Sequence, residues 1–121
     1  MRNILIIGAG KSASYLIKYF LDKCISENLN ITIGDLNISN AKKWIGNHPN
    51  ANALELDIFD KTAREQAVQN ADIVVSMLPA RFHVEVAKDC ITFGKHLVTA
   101  SYVREEMKAL DTEAKAKNLI F

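Results

Sequence analysis

Short runs of apolar, mostly β-branched residues alternate along this chain with longer segments in which apolar residues recur every three or four positions. The short runs predict five strands: Asn3 to Ile7, Asn30 to Gly34, Ala53 to Leu56, Asp72 to Met77 and His96 to Thr99. The longer segments have the spacing of amphipathic helices. Strands that alternate with helices predict an α/β fold with a parallel sheet covered on both faces.

Five helices are predicted between and after these strands. The first presents an apolar face made of Ala13, Leu16, Ile17, Phe20, Leu21 and Cys24. The second begins near Ser39 and ends near Gly46, where glycine suits the left-handed cap conformation. The third and fourth run from Lys61 to Asn70 and from Ala80 to Phe93, and the last runs from Arg104 to Lys117, with Met107, Leu110 and Ala114 facing inward.

The apolar residues Leu119 to Phe121 follow the last helix and predict the start of a sixth strand. We therefore expect residues 1–121 to form one domain of a longer protein, truncated at the sixth strand. A homodimer of the full-length protein is an arrangement that the sequence leaves open.

Composition narrows the function classes. The net charge is +1, with 49% apolar and 24% charged residues, which is ordinary for a globular protein and offers no basic face for nucleic acid. No run approaches the 18 or so apolar residues of a membrane helix, and no signal peptide precedes the first strand. Cys24 and Cys90 lack metal or redox spacing, so we expect buried reduced thiols in a cytoplasmic protein without a metal site.

The turn after the first strand carries the main chemical signal. Gly8-Ala9-Gly10 is followed by Lys11, Ser12 and Ala13, and Asp35 lies about 20 residues further on. Gly8 suits a tight turn, Gly10 lets the backbone approach a pyrophosphate, and Ala13 allows close helix packing. Lys11 is expected either beside the pyrophosphate or in solvent. A nucleoside triphosphate loop is excluded because Leu5 occupies a position that requires glycine.

These residues predict a Rossmann-type fold with strand order 3-2-1-4-5-6 and a dinucleotide site. Asp35 is placed to bind the adenosine ribose, and a 2′-phosphate would bring a dianion against its carboxylate. Two unit charges about 4 Å apart near a surface interact by roughly 4 kcal/mol. We therefore expect NAD to be preferred over NADP.

Other residues at the carboxyl ends of the strands are placed to line the same crevice. Asp57 and Ile58 either flank the adenine or serve as turn or cap residues. Pro79 can begin a helix and stiffen the loop over the nicotinamide ribose. His83 is placed to face the crevice but has no evident acid–base partner, and His48 and His96 are expected to be structural or solvent-facing. The catalytic residues stay unassigned.

Beyond the glycine turn, longer stretches resemble the saccharopine dehydrogenase family. They are Ser76 to Ala80, His83, Val86 to Cys90, His96 to Val103 and Met107 to Asp111. The resemblance implies an oxidoreductase of lysine metabolism that transfers hydride at a secondary amine C–N bond. It also implies that residues 1–121 are the coenzyme-binding domain and that the amino-acid substrate is held by a second domain, which is absent from this chain. It looks closest to the glutamate-forming branch, although Asp35 stands where fungal members have a basic residue.

The resemblance also implies site residues. It places Gly8, Gly10, Lys11, Ser12 and Ala13 at the pyrophosphate, Asp35, Asp57 and Ile58 at the adenosine, Leu78, Pro79, Thr99 and Ala100 at the nicotinamide, and Ser101 and Tyr102 at the substrate. Homospermidine synthases and carboxynorspermidine dehydrogenases look similar in these regions. The same glycine turn and acidic residue would also suit a regulatory NAD-sensing module or an S-adenosylmethionine-dependent methyltransferase. The methyltransferase would need a reversed last hairpin that the sequence does not suggest.

Overall fold

The chain forms a five-stranded parallel sheet with helices on both faces, seen in a computed structural model that describes residues 2–8, 14–23, 26–46, 48–77, 83–99, 114, 116 and 117. The strands are β1 (Arg2–Ile7), β2 (Leu29–Asp35), β3 (Ala51–Glu55), β4 (Ile73–Ser76) and β5 (His96–Thr99). The helices are α1 (Ser14–Lys23), α2 (Ile38–Ile45), α3 (Lys61–Gln69) and α4 (His83–Phe93). The order β3-β2-β1-β4-β5 confirms the predicted doubly wound topology over these strands.

Alternate residues of the central strand β1 face two separate cores. Leu5 and Ile7 belong to a core cluster with residues of α3 and α4, whereas Ile4 and Ile6 belong to a second cluster with residues of α1 and α2. This is the two-residue period of a strand that is covered on both faces. All four side chains are buried, with at most 4% exposed, so β1 has no solvent-facing side over this stretch.

The helix ends explain why α2 and α3 begin where they do. Asn37 caps α2 by accepting a hydrogen bond from the Ser39 N–H, and Asp60 caps α3 by accepting one from the Ala63 N–H. Such caps satisfy N–H groups that the helix itself leaves without partners. Gly46 ends α2 with φ +52° and ψ −122°, so the predicted glycine stop is confirmed, although the conformation is not that of a left-handed helical cap.

Asparagine side chains tie the amino-terminal ends of three strands together. Asn30 Nδ2 donates to Asn3 Oδ1 at 3.2 Å, and Asn52 Nδ2 donates to Asn30 Oδ1 at 3.4 Å. On the other side of β1, the Asn3 N–H donates to Asp72 Oδ2 at 2.7 Å, and the Asp72 N–H donates to the Asn3 carbonyl at 2.7 Å. We call Asn3, Asn30, Asn52 and Asp72 the asparagine row.

Several predicted boundaries shift by one or two residues. The third strand begins at Ala51 rather than Ala53, because its ladder with β2 pairs Ile31 with Ala51 and continues to Asp35 with Glu55. The fourth helix is described only from His83, so its predicted start at Ala80 lies outside the described residues. The predicted sixth strand and most of the last helix also lie outside them, although Ala114 is buried as expected.

Candidate functional site

The carboxyl ends of β1 and β4 form the point where the sheet changes direction. From β1 the chain winds outward through β2 to β3, and it then crosses back to place β4 on the other side of β1. Ile7 pairs with Ser76 there, and the Met77 N–H donates to the Ile7 carbonyl at 2.9 Å. In open α/β sheets, ligands bind outside the carboxyl ends of the strands at such a switch point.

Gly8 turns the chain out of β1 at this point. Its φ is +101°, and its N–H donates to the Gly34 carbonyl on the neighbouring strand at 2.8 Å. A Cβ at this position would lie 3.5 Å from the carbonyl carbon and oxygen of Met77, which is ordinary contact. The requirement for glycine therefore comes from the backbone conformation, since L side chains rarely adopt this φ.

Asp35 ends β2 and organises the turn into α2. The Asn37 N–H donates to Asp35 Oδ1 at 2.8 Å, and the Asp35 carbonyl accepts the Leu56 N–H at 2.9 Å. The half-buried residue thus lies at the carboxyl edge, where the sequence predicts the ribose, and a backbone N–H of its own loop hydrogen-bonds its carboxylate. This is the Asx turn that short acidic side chains favour at helix starts.

The segment from Asp57 to Asp60 connects β3 with α3, and we call it the adenine-side loop after the role that the sequence predicts for it. The Phe59 N–H donates to Asp57 Oδ1 and the Asp60 N–H to the Asp57 carbonyl, both at 2.9 Å. Asp57 is therefore a turn residue, one of the two roles that its sequence position allowed. Ile58 packs partly buried against the core, and the Phe59 side chain is 75% exposed.

A buried ion pair between two helices was not predicted from the sequence. As whole residues, Arg64 on α3 and Asp89 on α4 are 7% and 6% exposed, and the Arg64 Nε–H donates to Asp89 Oδ2. Arg64 Nη1 also donates to the Ile58 carbonyl at 2.9 Å. The sequence feature that could have predicted this pair is a charged residue on the apolar face of each helix. These residues lie beside Ala67 and Val68 on α3 and beside Val86 on α4.

Several predicted site residues lie outside the described residues: Gly10, Lys11, Ser12, Ala13, Leu78, Pro79, Ala100, Ser101 and Tyr102. The backbone of Thr99 ends β5 beside Ser76, at the same edge as Gly8. The structure thus brings Gly8, Asp35, Asp57, Ile58 and the Thr99 backbone to one edge of the sheet, as expected for residues that follow parallel strands. The roles of these residues toward a coenzyme stay predictions.

Cys90 and His48 both have surroundings typical of structural residues. Burial, and next the charge of Asp89, raises the pKa of the Cys90 thiol from 9.0 to about 12, so the thiol stays protonated at neutral pH. His48 Nδ1 accepts the Asn50 N–H at 3.3 Å, which fits its expected structural role. In the part of the chain that the structure describes, no three His, Cys, Asp or Glu side chains gather as a metal site, and no helix is long and apolar enough to cross a bilayer.

A parallel sheet of this order with a glycine turn at its switch point defines the class of dinucleotide-binding domains. Residues 4–121 match the family described as the saccharopine dehydrogenase NADP binding domain. The chain belongs to this family and is a dinucleotide-binding domain of an oxidoreductase.

Relatives and solved structures agree with this assignment. The chain is 37% identical over 114 residues to saccharopine dehydrogenase [NADP(+), L-glutamate-forming] of Schizosaccharomyces pombe, covering 94% of this chain and 25% of that protein. It is 32% identical over 133 residues to alpha-aminoadipic semialdehyde synthase of Arabidopsis thaliana, covering 96% of this chain and 12% of that protein. Apo saccharopine dehydrogenase (L-Glu forming) of Saccharomyces cerevisiae superposes with a TM-score of 0.86 at 25% identity, over 98% of this chain and 26% of that one. The chain thus spans about a quarter or less of the length of these relatives.

The expected preference for NAD over NADP is wrong, because the matching family is an NADP-binding domain and the S. pombe relative is an NADP(+) enzyme. The prediction assumed that both carboxylate oxygens of Asp35 face the ribose. In the structure, its Oδ1 accepts the Asn37 N–H and so helps to build the turn before α2. An aspartate with this structural role does not by itself select the unphosphorylated ribose.

Proposed function

We propose that this chain is the NADP-binding domain of a saccharopine dehydrogenase-like enzyme of lysine metabolism, and that an amino-acid-binding domain of the full-length protein completes the active site. The observation that carries the proposal is the left-handed Gly8 turn at the β1–β4 switch point, in a chain of which residues 4–121 match the NADP-binding family. Residues 1–121 are the coenzyme-binding unit in this proposal.

The described residues fit a dinucleotide. Gly8 turns the chain out of β1 at the β1–β4 switch point, and we place the pyrophosphate there. Asp35 and the adenine-side loop form the adenosine end, and the Thr99 backbone lies toward the nicotinamide end. We assign Gly10, Lys11, Ser12 and Ala13 to the pyrophosphate, Leu78, Pro79 and Ala100 to the nicotinamide side, and Ser101 and Tyr102 to the substrate side.

When bound, NADP would supply the acceptor or donor for a hydride that moves to or from the carbon of a secondary amine C–N bond. The chain's own part is to bind and orient. The glycine turn holds the pyrophosphate, and the carboxyl edge aligns the two halves of the coenzyme across the switch point. An amino-acid substrate is expected to reach this edge from the domain outside the chain. A cytoplasmic location and a homodimer of the full-length protein stay predictions.

Coenzyme binding tests the proposal directly. The 121-residue chain is titrated with NADPH and with NADH at one ionic strength in a calorimeter. We expect NADPH to bind more tightly and Gly8→Ala to weaken its binding. Gly46→Ala is the matched control, because it also places alanine at a positive φ but at the end of α2 away from the switch point. Absence of binding to either dinucleotide, or equal losses in both variants, would contradict the proposed site.

A turnover assay tests the division of labour. Saccharopine and NADP are mixed with the chain and absorbance of the reduced nicotinamide is followed. We expect no turnover, because the amino-acid-binding part is proposed to lie outside these residues. Steady saccharopine oxidation by the 121-residue chain itself would show that the substrate site is already complete.

A further inference from the structure

The buried pair of Arg64 and Asp89 is not part of the proposed coenzyme site, yet it connects to it. Both side chains are 9% exposed, one on α3 and the other on α4. Arg64 uses Nε to reach the Asp89 carboxylate and Nη1 to reach the Ile58 carbonyl at 2.9 Å. One guanidinium therefore joins three elements, namely two helices and the adenine-side loop.

The adenine-side loop itself is held from both ends. Asp57 accepts the N–H groups of Phe59 and Asp60, and Asp60 accepts the Ala63 N–H at the start of α3. Arg64 fixes the centre of the loop by donating a hydrogen bond to the Ile58 carbonyl. The side chain that the loop presents outward is Phe59, 75% exposed at the carboxyl edge of the sheet.

The loop is also tied to the ribose end of the site. The Leu56 N–H, one residue before the loop, donates to the Asp35 carbonyl at 2.9 Å, and Asp35 pairs with Glu55 in the β2–β3 ladder. The position of Phe59 relative to Asp35 therefore depends on how the loop is held between β3 and α3. Through the Ile58 carbonyl and Arg64, the centre of the loop is connected to Asp89 on α4.

A buried ion pair is a poor device for stability alone. Removing two charges from water is costly, and well-packed apolar residues of similar volume often stabilise a fold as well or better. What the planar guanidinium adds is direction, because its N–H groups hold two acceptors at fixed angles. An apolar pair at these positions could fill the space between α3 and α4, but it could not hold the Ile58 carbonyl.

We propose that Arg64 and Asp89 are positioning residues for the adenosine end of the coenzyme: Asp89 orients Arg64, Arg64 fixes the adenine-side loop through Ile58, and the loop presents Phe59 as an apolar face for the adenine ring. The inference rests on the proposed function, since it presumes a dinucleotide at this edge. Neither charged residue touches the coenzyme; Phe59 does.

The test uses the paired variant R64M/D89L, which removes both buried charges together and keeps apolar volume between the helices. Affinity for adenosine 2′,5′-bisphosphate is measured by calorimetry, because this ligand has the adenosine end and lacks the nicotinamide. We expect binding about fivefold or more weaker than in the parent. NADPH should lose affinity by a similar factor. Val68→Ala is the control, since Val68 is fully buried on the same helix and its apolar side chain cannot hydrogen-bond the loop.

A cycle with Phe59 separates positioning from a general structural role. F59A in the parent should weaken adenosine 2′,5′-bisphosphate about fivefold, and F59A in R64M/D89L should add little, because the ring has already lost its position. Amide exchange of Phe59 and Asp60 should speed up in R64M/D89L and not in V68A. Additive losses, or exchange that is unchanged, would overturn the proposal.

The outcomes also separate this proposal from the proposed function. A parent that binds the ligand, with R64M/D89L binding it equally well, would overturn the positioning role and leave the coenzyme domain intact. A parent that binds neither ligand would overturn both. Should R64M/D89L fail to fold, R64K serves instead: a single ammonium keeps the charge but does not reproduce the fork between Asp89 and Ile58. We then expect the same direction of change in affinity and in amide exchange.

Discussion

Replacing Gly8 by alanine separates backbone strain from steric contact. The φ of +101° lies in a region that costs a residue with a side chain about 1–3 kcal/mol. The new methyl group would lie 3.5 Å from the Met77 backbone, which adds no clash. The expected loss in unfolding free energy is therefore the conformational cost alone, about 1–3 kcal/mol.

Urea unfolding followed by circular dichroism measures this loss at fixed temperature, with the midpoint and slope fitted together. Gly46→Ala is the reference, because its φ is +52° and nothing lies within 4 Å of the added Cβ, so it too has a conformational cost without a clash. Both variants should lose stability. Gly8→Ala should in addition lose more coenzyme affinity than Gly46→Ala. A Gly8→Ala protein as stable as the parent, within about 0.5 kcal/mol, would refute the left-handed turn.

Three further outcomes are expected from buried or capping groups. Asp89→Ala leaves the Arg64 guanidinium buried without its carboxylate and should lower the free energy of unfolding in urea by about 3–5 kcal/mol. R64M/D89L should lower it far less, and equal losses would contradict the buried pair. Asp60→Ala removes the α3 cap and should cost about 1 kcal/mol, with Asp60→Asn close to the parent. The pKa of the Cys90 thiol is raised from 9.0 to about 12, so the thiol of the unfolded chain ionises first and the unfolding free energy should fall as pH rises above about 9. Cys90→Ala should reduce this dependence of the unfolding free energy on pH. An unchanged dependence would argue against the raised pKa.

Periodicity was enough to predict the sheet, and the glycine spacing was enough to predict the turn at Gly8. The run Ile4 to Ile7 is apolar at every position, which is typical of a central parallel strand, and both faces of β1 are indeed covered. The end of α2 at Gly46 was also predictable from the residue type alone, because glycine adopts a positive φ without steric cost. Such local signals do not depend on which other elements lie nearby.

What depends on distant partners was missed. The first residue of β3 is set by its ladder with β2, so Ala51 joins the strand although the sequence there is typical of a turn. Arg64 and Asp89 lie 25 positions apart, and nothing in either helix alone shows that the two side chains meet. The NAD prediction rested on the charge of Asp35 alone, and the match to an NADP-binding family overturned it.

The asparagine row has a consequence for strand alignment. Because β1 is apolar from Ile4 to Ile7, a one-residue slip would keep three of these four buried positions apolar, and only the fourth would receive Asn3 or Gly8. Burial alone would therefore oppose the slip less than in a strand that has one polar face. The amide and carboxylate bonds of Asn3 to Asn30 and Asp72 are lost at once by such a shift. A slip would move Gly8 by about 3.3 Å along its neighbours. Polar residues at the far end of the sheet thus keep the register on which the opposite, ligand-facing end depends.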